Sequence, residues 1–203
     1  MPPQRLGLFG GTFDPPHFGH LIVAQDAAEQ LSLDRLLFVV AALPPHKLGE
    51  DLAPADLRLR MVEEAVARNP LLGVSDVELT REGPSYSVDT LRHYRRELPE
   101  TELIFLMGAD QLAEFHEWQE PEAVGQLATL VAVARGGIDP RDMPPMALPR
   151  GVRVEFKQIE VTRIDISSTE VREKVRSGRS IQYMVPREVR TIIERNRLYQ
   201  DGS

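Results

Sequence analysis

Residues 5–20 read RLGLFGGTFDPPHFGH. Arg5 to Gly10 is a short, mostly apolar run that suits a buried strand. Gly10 and Gly11 then let the chain turn sharply and let its backbone approach a ligand closely. Leu21, Ala24, Ala28 and Leu31 follow at helical spacing, which predicts a helix over roughly 19–31. A strand, a glycine turn and a helix in that order open an α/β layer.

The same alternation runs outward from this stretch. Short apolar runs predict strands over 35–42, 72–79, 102–107 and 129–134, and an extended segment over 152–161. Apolar spacing predicts helices over 55–68, 88–98, 110–118, 168–177 and 186–197, the last with proline in its first turn. Hydrophobic strands that do not alternate, separated by helices, imply a doubly wound, mostly parallel sheet covered on both faces. A small helical part closes the chain. The organisation is one domain, 1–203, with 1–150 as the main α/β core and 151–203 as its C-terminal part. The proline- and glycine-rich stretch 136–151 reads as a loop between them. Ligands of such sheets sit beyond the carboxyl ends of the strands, where strand order reverses.

Composition narrows the function. The chain has 203 residues and no cysteine, which excludes disulfides, a cysteine nucleophile and cysteine-ligated metals. The longest apolar run is eight residues, 36–43, against about 20 for a membrane span. No secretory pattern stands at the N-terminus, so a cytoplasmic location is expected. The net charge of −7 argues against a nucleic-acid partner. The charge is uneven, −11 over 1–149 and +4 over 150–203, which is either a solvated basic face or a polyanion site.

Two constellations carry chemistry. In the first, His17 and His20 stand three apart where the first helix opens, so both can face one spot. The loop admits three readings: a structural turn, a divalent-metal site from Asp14, His17 and His20, or a phosphate site. No Gly-Lys-Ser/Thr follows the glycines and no GxGxxG is present, which excludes two common phosphate loops. In the second, Ile166-Ser167-Ser168-Thr169-Glu170-Val171-Arg172 opens a late helix. Its three hydroxyls are strong helix caps, and an arginine in the first turn adds a fork for phosphate oxygens.

The Gly10–His20 run resembles the GGTFDPxHxGH motif of the nucleotidyltransferase superfamily, and 166–172 is similar to its ISSTxxR motif. Intermediate segments narrow the likeness: Pro44-Pro45-His46-Lys47, Gly83-Pro84-Ser85-Tyr86-Ser87-Val88-Asp89-Thr90, Gly108-Ala109-Asp110 with Trp118, and Arg135-Gly136. Together they resemble the bacterial nicotinate mononucleotide adenylyltransferase family over nearly the whole chain. The resemblance implies a Rossmann-like fold and transfer of AMP from ATP to nicotinate mononucleotide, with Mg²⁺ on the ATP phosphates and no protein-held metal. It implies His17 and His20 as catalytic residues. It implies an ATP site of Gly10, Gly11, Thr12, Phe13, His17, His20, Gly108, Asp110, Ile166, Ser167, Ser168 and Arg172. The acceptor site would comprise Thr12, Lys47, Tyr86, Ser87, Asp89, Trp118 and Arg135. The same chemistry on nicotinamide mononucleotide or another phosphorylated acceptor stands as the alternative, and a His/Asp metal-dependent hydrolase as a more distant one. The oligomeric state is left open, with a homodimer as one option.

Overall fold

The computed structural model describes residues 2–44, 51–112, 114–134 and 156–200, without the side chains of residues 109, 110, 134 and 156. Six strands form one sheet: β1 (Arg5–Gly11), β2 (Arg35–Val40), β3 (Leu72–Ser75), β4 (Glu102–Gly108), β5 (Thr129–Ala134) and β6 (Phe156–Glu160). Their spatial order is β3-β2-β1-β4-β5-β6, and every neighbouring pair is parallel. The expected doubly wound sheet is thus present and wholly parallel. Strand order reverses between β1 and β4, which puts the ligand crevice beyond the carboxyl end of β1.

Among the described residues, six α-helices accompany the sheet: α1 (Phe18–Gln30), α2 (Ala55–Val66), α3 (Ser87–Glu97), α4 (Pro121–Leu127), α5 (Ser168–Arg176) and α6 (Arg187–Arg195). Strand side chains alternate between two cores. Phe9, Phe38, Leu106 and Val131 pack on one face with Val23 and Ala27 of α1 and Val62 and Val66 of α2. Leu8, Val39, Phe105 and Leu130 pack on the other with Val88 and Leu91 of α3 and Val124 of α4. Both faces are therefore covered, and the strands of the sheet's centre are mainly apolar, as a two-sided sheet requires, with charged residues at strand ends and in the edge strand β6. A third cluster joins Met61 of α2, Val171 of α5 and Val189, Ile192 and Ile193 of α6. This is the small helical part. The strand β6 precedes it and belongs to the main sheet.

Several expected bounds shift. The third strand stops at Ser75 rather than 79, because the Ser75 hydroxyl accepts from Val77 N and Leu79 N donates to Asp76 O, which turns the chain. The second strand ends at Val40, two residues early. The expected helix over 110–118 is two 3₁₀ turns, Ala109–Leu112 and Phe115–Glu117, and α4 after them has no counterpart in the sequence reading. Pro186 is the N-cap of α6, not its first turn. The stretch 136–151 lies outside the described residues.

Candidate active site

The crevice is a cavity of about 270 Å³ at the carboxyl ends of β1, β2 and β4. Gly10, Gly11 and Thr12 form its floor, and Ser85, Tyr86, Ser87 and Trp118 are among its walls. At Gly11 a Cβ would lie 2.7 Å from the Phe13 ring, so only glycine lets that ring fold back beneath the loop. Phe13 itself, at φ 50°, is 2% exposed and packs on Phe9, Phe38 and His20. Its ring is core, so only its backbone is available to a nucleotide.

The two histidines are brought together as their spacing predicts. Their rings stack with centroids 3.7 Å apart and planes 26° apart. His17 N donates to His20 Nδ1 at 3.3 Å, and the edges of Phe9 and Phe13 hold the His20 ring from below. Gly19 between them is required by space: a Cβ there would stand 2.9 Å from His17 Nδ1 and push the ring aside.

The second motif meets the first across some 150 residues. Ser167 caps α5 by accepting from Glu170 N, at 3.1 Å. Ser168 Oγ donates to Pro15 O at 2.9 Å, and Arg172 Nη1 donates to Asp14 O at 2.8 Å. Ile166 shares a small crevice with His17 and Gly19. Histidines, hydroxyls and a guanidinium thus converge beside the glycine loop, which is the donor set that phosphate oxygens need.

Asp14 is the hub of this corner and is 1% exposed. Its Oδ1 accepts from Tyr199 Oη at 2.6 Å and from Ala53 N at 3.3 Å, and its Oδ2 lies 4.0 Å from Arg172 Nη1. Burial first, and the Asp14 charge second, push the Tyr199 phenol far above its usual range, so it stays a donor. Among the described residues no group of three His, Asp or Glu side chains is arranged to hold a metal ion.

The opposite wall is differently made. Trp118 stands edge-on to Phe105 at 6.0 Å and tilted on Phe115 at 5.3 Å, which leaves an indole at the cavity surface. Ser87 begins α3, and Ser85 Oγ accepts from Ala42 N and Leu43 N, pinning the β2 exit to this wall. Glu78 also lines the cavity, and Thr90 Oγ1 donates to it at 2.5 Å. Burial raises the Glu78 carboxyl above the usual range, partly offset by hydrogen bonds from Thr90 and Ser85. Asp89 is not among the lining residues and faces Arg92 at 3.7 Å. Gly108 N donates to Gln111 Oε1 at the end of β4. Lys47 and Arg135 lie outside the described residues, as does the Asp110 side chain.

Sequence reasoning missed Asp14 as a hub, Tyr199, Glu78 and Ser85. Local signals were present for only some. Glu78 sits in an apolar run, but Tyr199 meets Asp14 from 185 residues away.

This arrangement of a parallel Rossmann-like sheet, a paired-histidine loop and a facing helix N-terminus defines a nucleotidyltransferase. The chain belongs to the cytidylyltransferase-like family, whose profile matches residues 8–174. Within it, a protein of Thermus thermophilus named probable nicotinate-nucleotide adenylyltransferase is 48% identical over 197 residues, covering 97% of this chain and all of that one. A protein of the same name from Thermomicrobium roseum is 42% identical, covering 97% and 92%. Among solved structures, the Plasmodium falciparum nicotinic acid mononucleotide adenylyltransferase complexed with NaAD superposes with a TM-score of 0.77, at 16% identity, over 97% of each chain.

Proposed function

We propose that this protein transfers AMP from ATP to nicotinate mononucleotide, giving deamido-NAD and pyrophosphate, a step of NAD biosynthesis. The observation that carries the reading is the meeting of His17, His20, Ser168 and Arg172 beside a glycine loop that floors an aromatic-walled cavity. Near-full-length relatives of that name, at 38–48% identity, support the substrate pair.

The acceptor phosphate is the nucleophile. One of its oxygens bonds to the α-phosphorus of ATP, and the bond from that phosphorus to the bridging β-oxygen breaks. A phosphate monoester has its second pKa near 6, so the nucleophile is about doubly ionised at pH 7 and no general base is needed. The barrier lies in bringing two anions together and in charge on a crowded phosphoryl group, which positioned donors lower. The role of His17 and His20 is to donate to the reacting phosphates, and that of Arg172, with Ser167 and Ser168 at the start of α5, to hold the triphosphate. Gly10, Gly11 and Thr12 bring backbone close to both substrates, while Gly108 and Asp110 receive the adenosine. On the acceptor side Trp118 and Tyr86 flank the pyridine ring, the first amides of α3 at Ser87 take its carboxylate, and Lys47 and Arg135 take its phosphate. Mg²⁺ would travel with ATP. The donors gathered in the corner are imidazoles, hydroxyls and one guanidinium, so such an ion would be held by phosphate oxygens, where it would neutralise charge on the departing pyrophosphate. The whole chain acts as one domain, in the cytoplasm.

Pyrophosphate release with ATP and a panel of phosphorylated acceptors tests the reading. Nicotinate mononucleotide should give the highest kcat/KM. A higher value for nicotinamide mononucleotide would reassign the acceptor, and release that needs no acceptor at all would sink the transferase reading.

A further inference from the structure

The α2 helix carries an anomaly. Its buried stripe is Arg58, Met61, Val62 and Val66, so a cation takes a position where an apolar side chain would pack at least cost. Arg58 is 1% exposed. Burial lowers its pKa, and the charge of Asp14 partly offsets this.

Its hydrogen bonds go to main-chain carbonyls. Nε donates to Ala53 O at 2.9 Å, Nη1 to Thr12 O at 2.9 Å and Ala41 O at 2.7 Å, and Nη2 to Ala42 O at 3.1 Å. Only the first of these lies next to its own helix. The other three are the exits of β1 and β2, and Thr12 and Ala41 both line the cavity. The sheet does not need this help to align its strands. Gly11 is already paired with Val40, and Ala41 N donates to Gly11 O at 3.0 Å. What Arg58 adds begins where the ladder ends.

We propose that Arg58 is a positioning residue for adenylyl transfer, bracing the Thr12 loop against the Ala41–Ala42 exit so that the two substrates meet at attacking distance. This rests on the transferase reading above. The Thr12 loop belongs to the nucleotide side, and the chain leaving Ala42 leads through Pro44 to the acceptor side. A planar fork with five donors can span three loops at once, whereas an ammonium cannot. The charge alone is therefore insufficient and the shape is required.

The test compares the wild-type protein with Arg58→Lys and Arg58→Met. Binding of a non-hydrolysable ATP analogue and of nicotinate mononucleotide is measured separately, then kcat at saturation of both, well below each variant's melting temperature. A relative displacement of about 1 Å between the loops should lower kcat about 100-fold. Affinity for each substrate alone should change by no more than about threefold, because each loop still folds around its own ligand. A kcat within about threefold of wild type in a folded Arg58→Lys protein overturns the proposal, because a merely structural role lowers only the melting temperature. So does a loss confined to KM. If Arg58→Met does not fold, Arg58→Lys decides, since it keeps the charge and most of the volume. If the wild-type protein fails to release pyrophosphate with this acceptor, the function reading fails instead, and the same comparison is run with the acceptor that works.

Discussion

The proposed phosphate corner and the proposed ring cleft flank the same glycine loop but are built differently. The corner is knotted by bonds between remote segments: Ser168 to Pro15, Arg172 to Asp14 O and Tyr199 to the Asp14 carboxylate. The cleft is walled by aromatic surface and by a loop pinned through Ser85. Donors that stabilise developing charge must already be aimed when a reaction occurs, and on the proposed reading these bonds tie the corner for that task. A flat ring is recognised by shape and apolar area, which a looser wall supplies.

The largest way to break this contrast is at the histidines. His17→Ala or His20→Ala should lower kcat about 10³-fold with little change in melting temperature, measured by steady-state kinetics and calorimetry. Near-normal turnover in either variant would remove the corner's assigned role. Next is the knot. Asp14→Ala leaves the Tyr199 hydroxyl and Ala53 N–H buried without their acceptor and should cost about 3 kcal/mol in denaturant unfolding. A loss below about 0.5 kcal/mol would mean the corner is held by something else. The cleft should respond in the opposite sense. Trp118→Ala should raise KM for the mononucleotide about tenfold and leave KM for ATP within about twofold. An equal rise in both would merge the two regions into one. The smallest effect belongs to neither region. Arg92 pairs with Glu120 on the surface, Nη2 to Oε2 at 2.6 Å, yet Arg92→Ala should leave the unfolding midpoint within error at moderate salt.

The two regions also differ in how far the sequence discloses them. The histidine pair and Arg172 are legible because their proposed work depends on local spacing: one helical turn from His17 to His20, and one turn from Ser168 at the start of α5 to Arg172. The parallel sheet is legible because its central strands, buried on both faces, are mostly continuous apolar runs. Asp14 and Tyr199 are not, since a bond between residues so far apart imprints no local pattern. Arg58 leaves only a charged residue on an apolar stripe. The error at β3 has the same origin in reverse. Val77 and Leu79 continue an apolar pattern, but a serine side chain bonds the backbone two residues on and ends the strand. The short α4, entered from Glu120 at φ 50° and holding a single fully buried residue, Val124, gives too little periodicity to read.

The bond between Tyr199 and Asp14 has a bearing on biosynthesis. Translation delivers earlier residues first, and early segments begin to fold while later ones are still being made. The loop that carries the histidines is made 185 residues before the phenol that bonds to it. A nascent chain that has not reached Tyr199 therefore holds the histidine motif without this bond, its Asp14 carboxylate kept only by Ala53 N and Arg172. The histidine loop is fully fastened only once Tyr199 has been made.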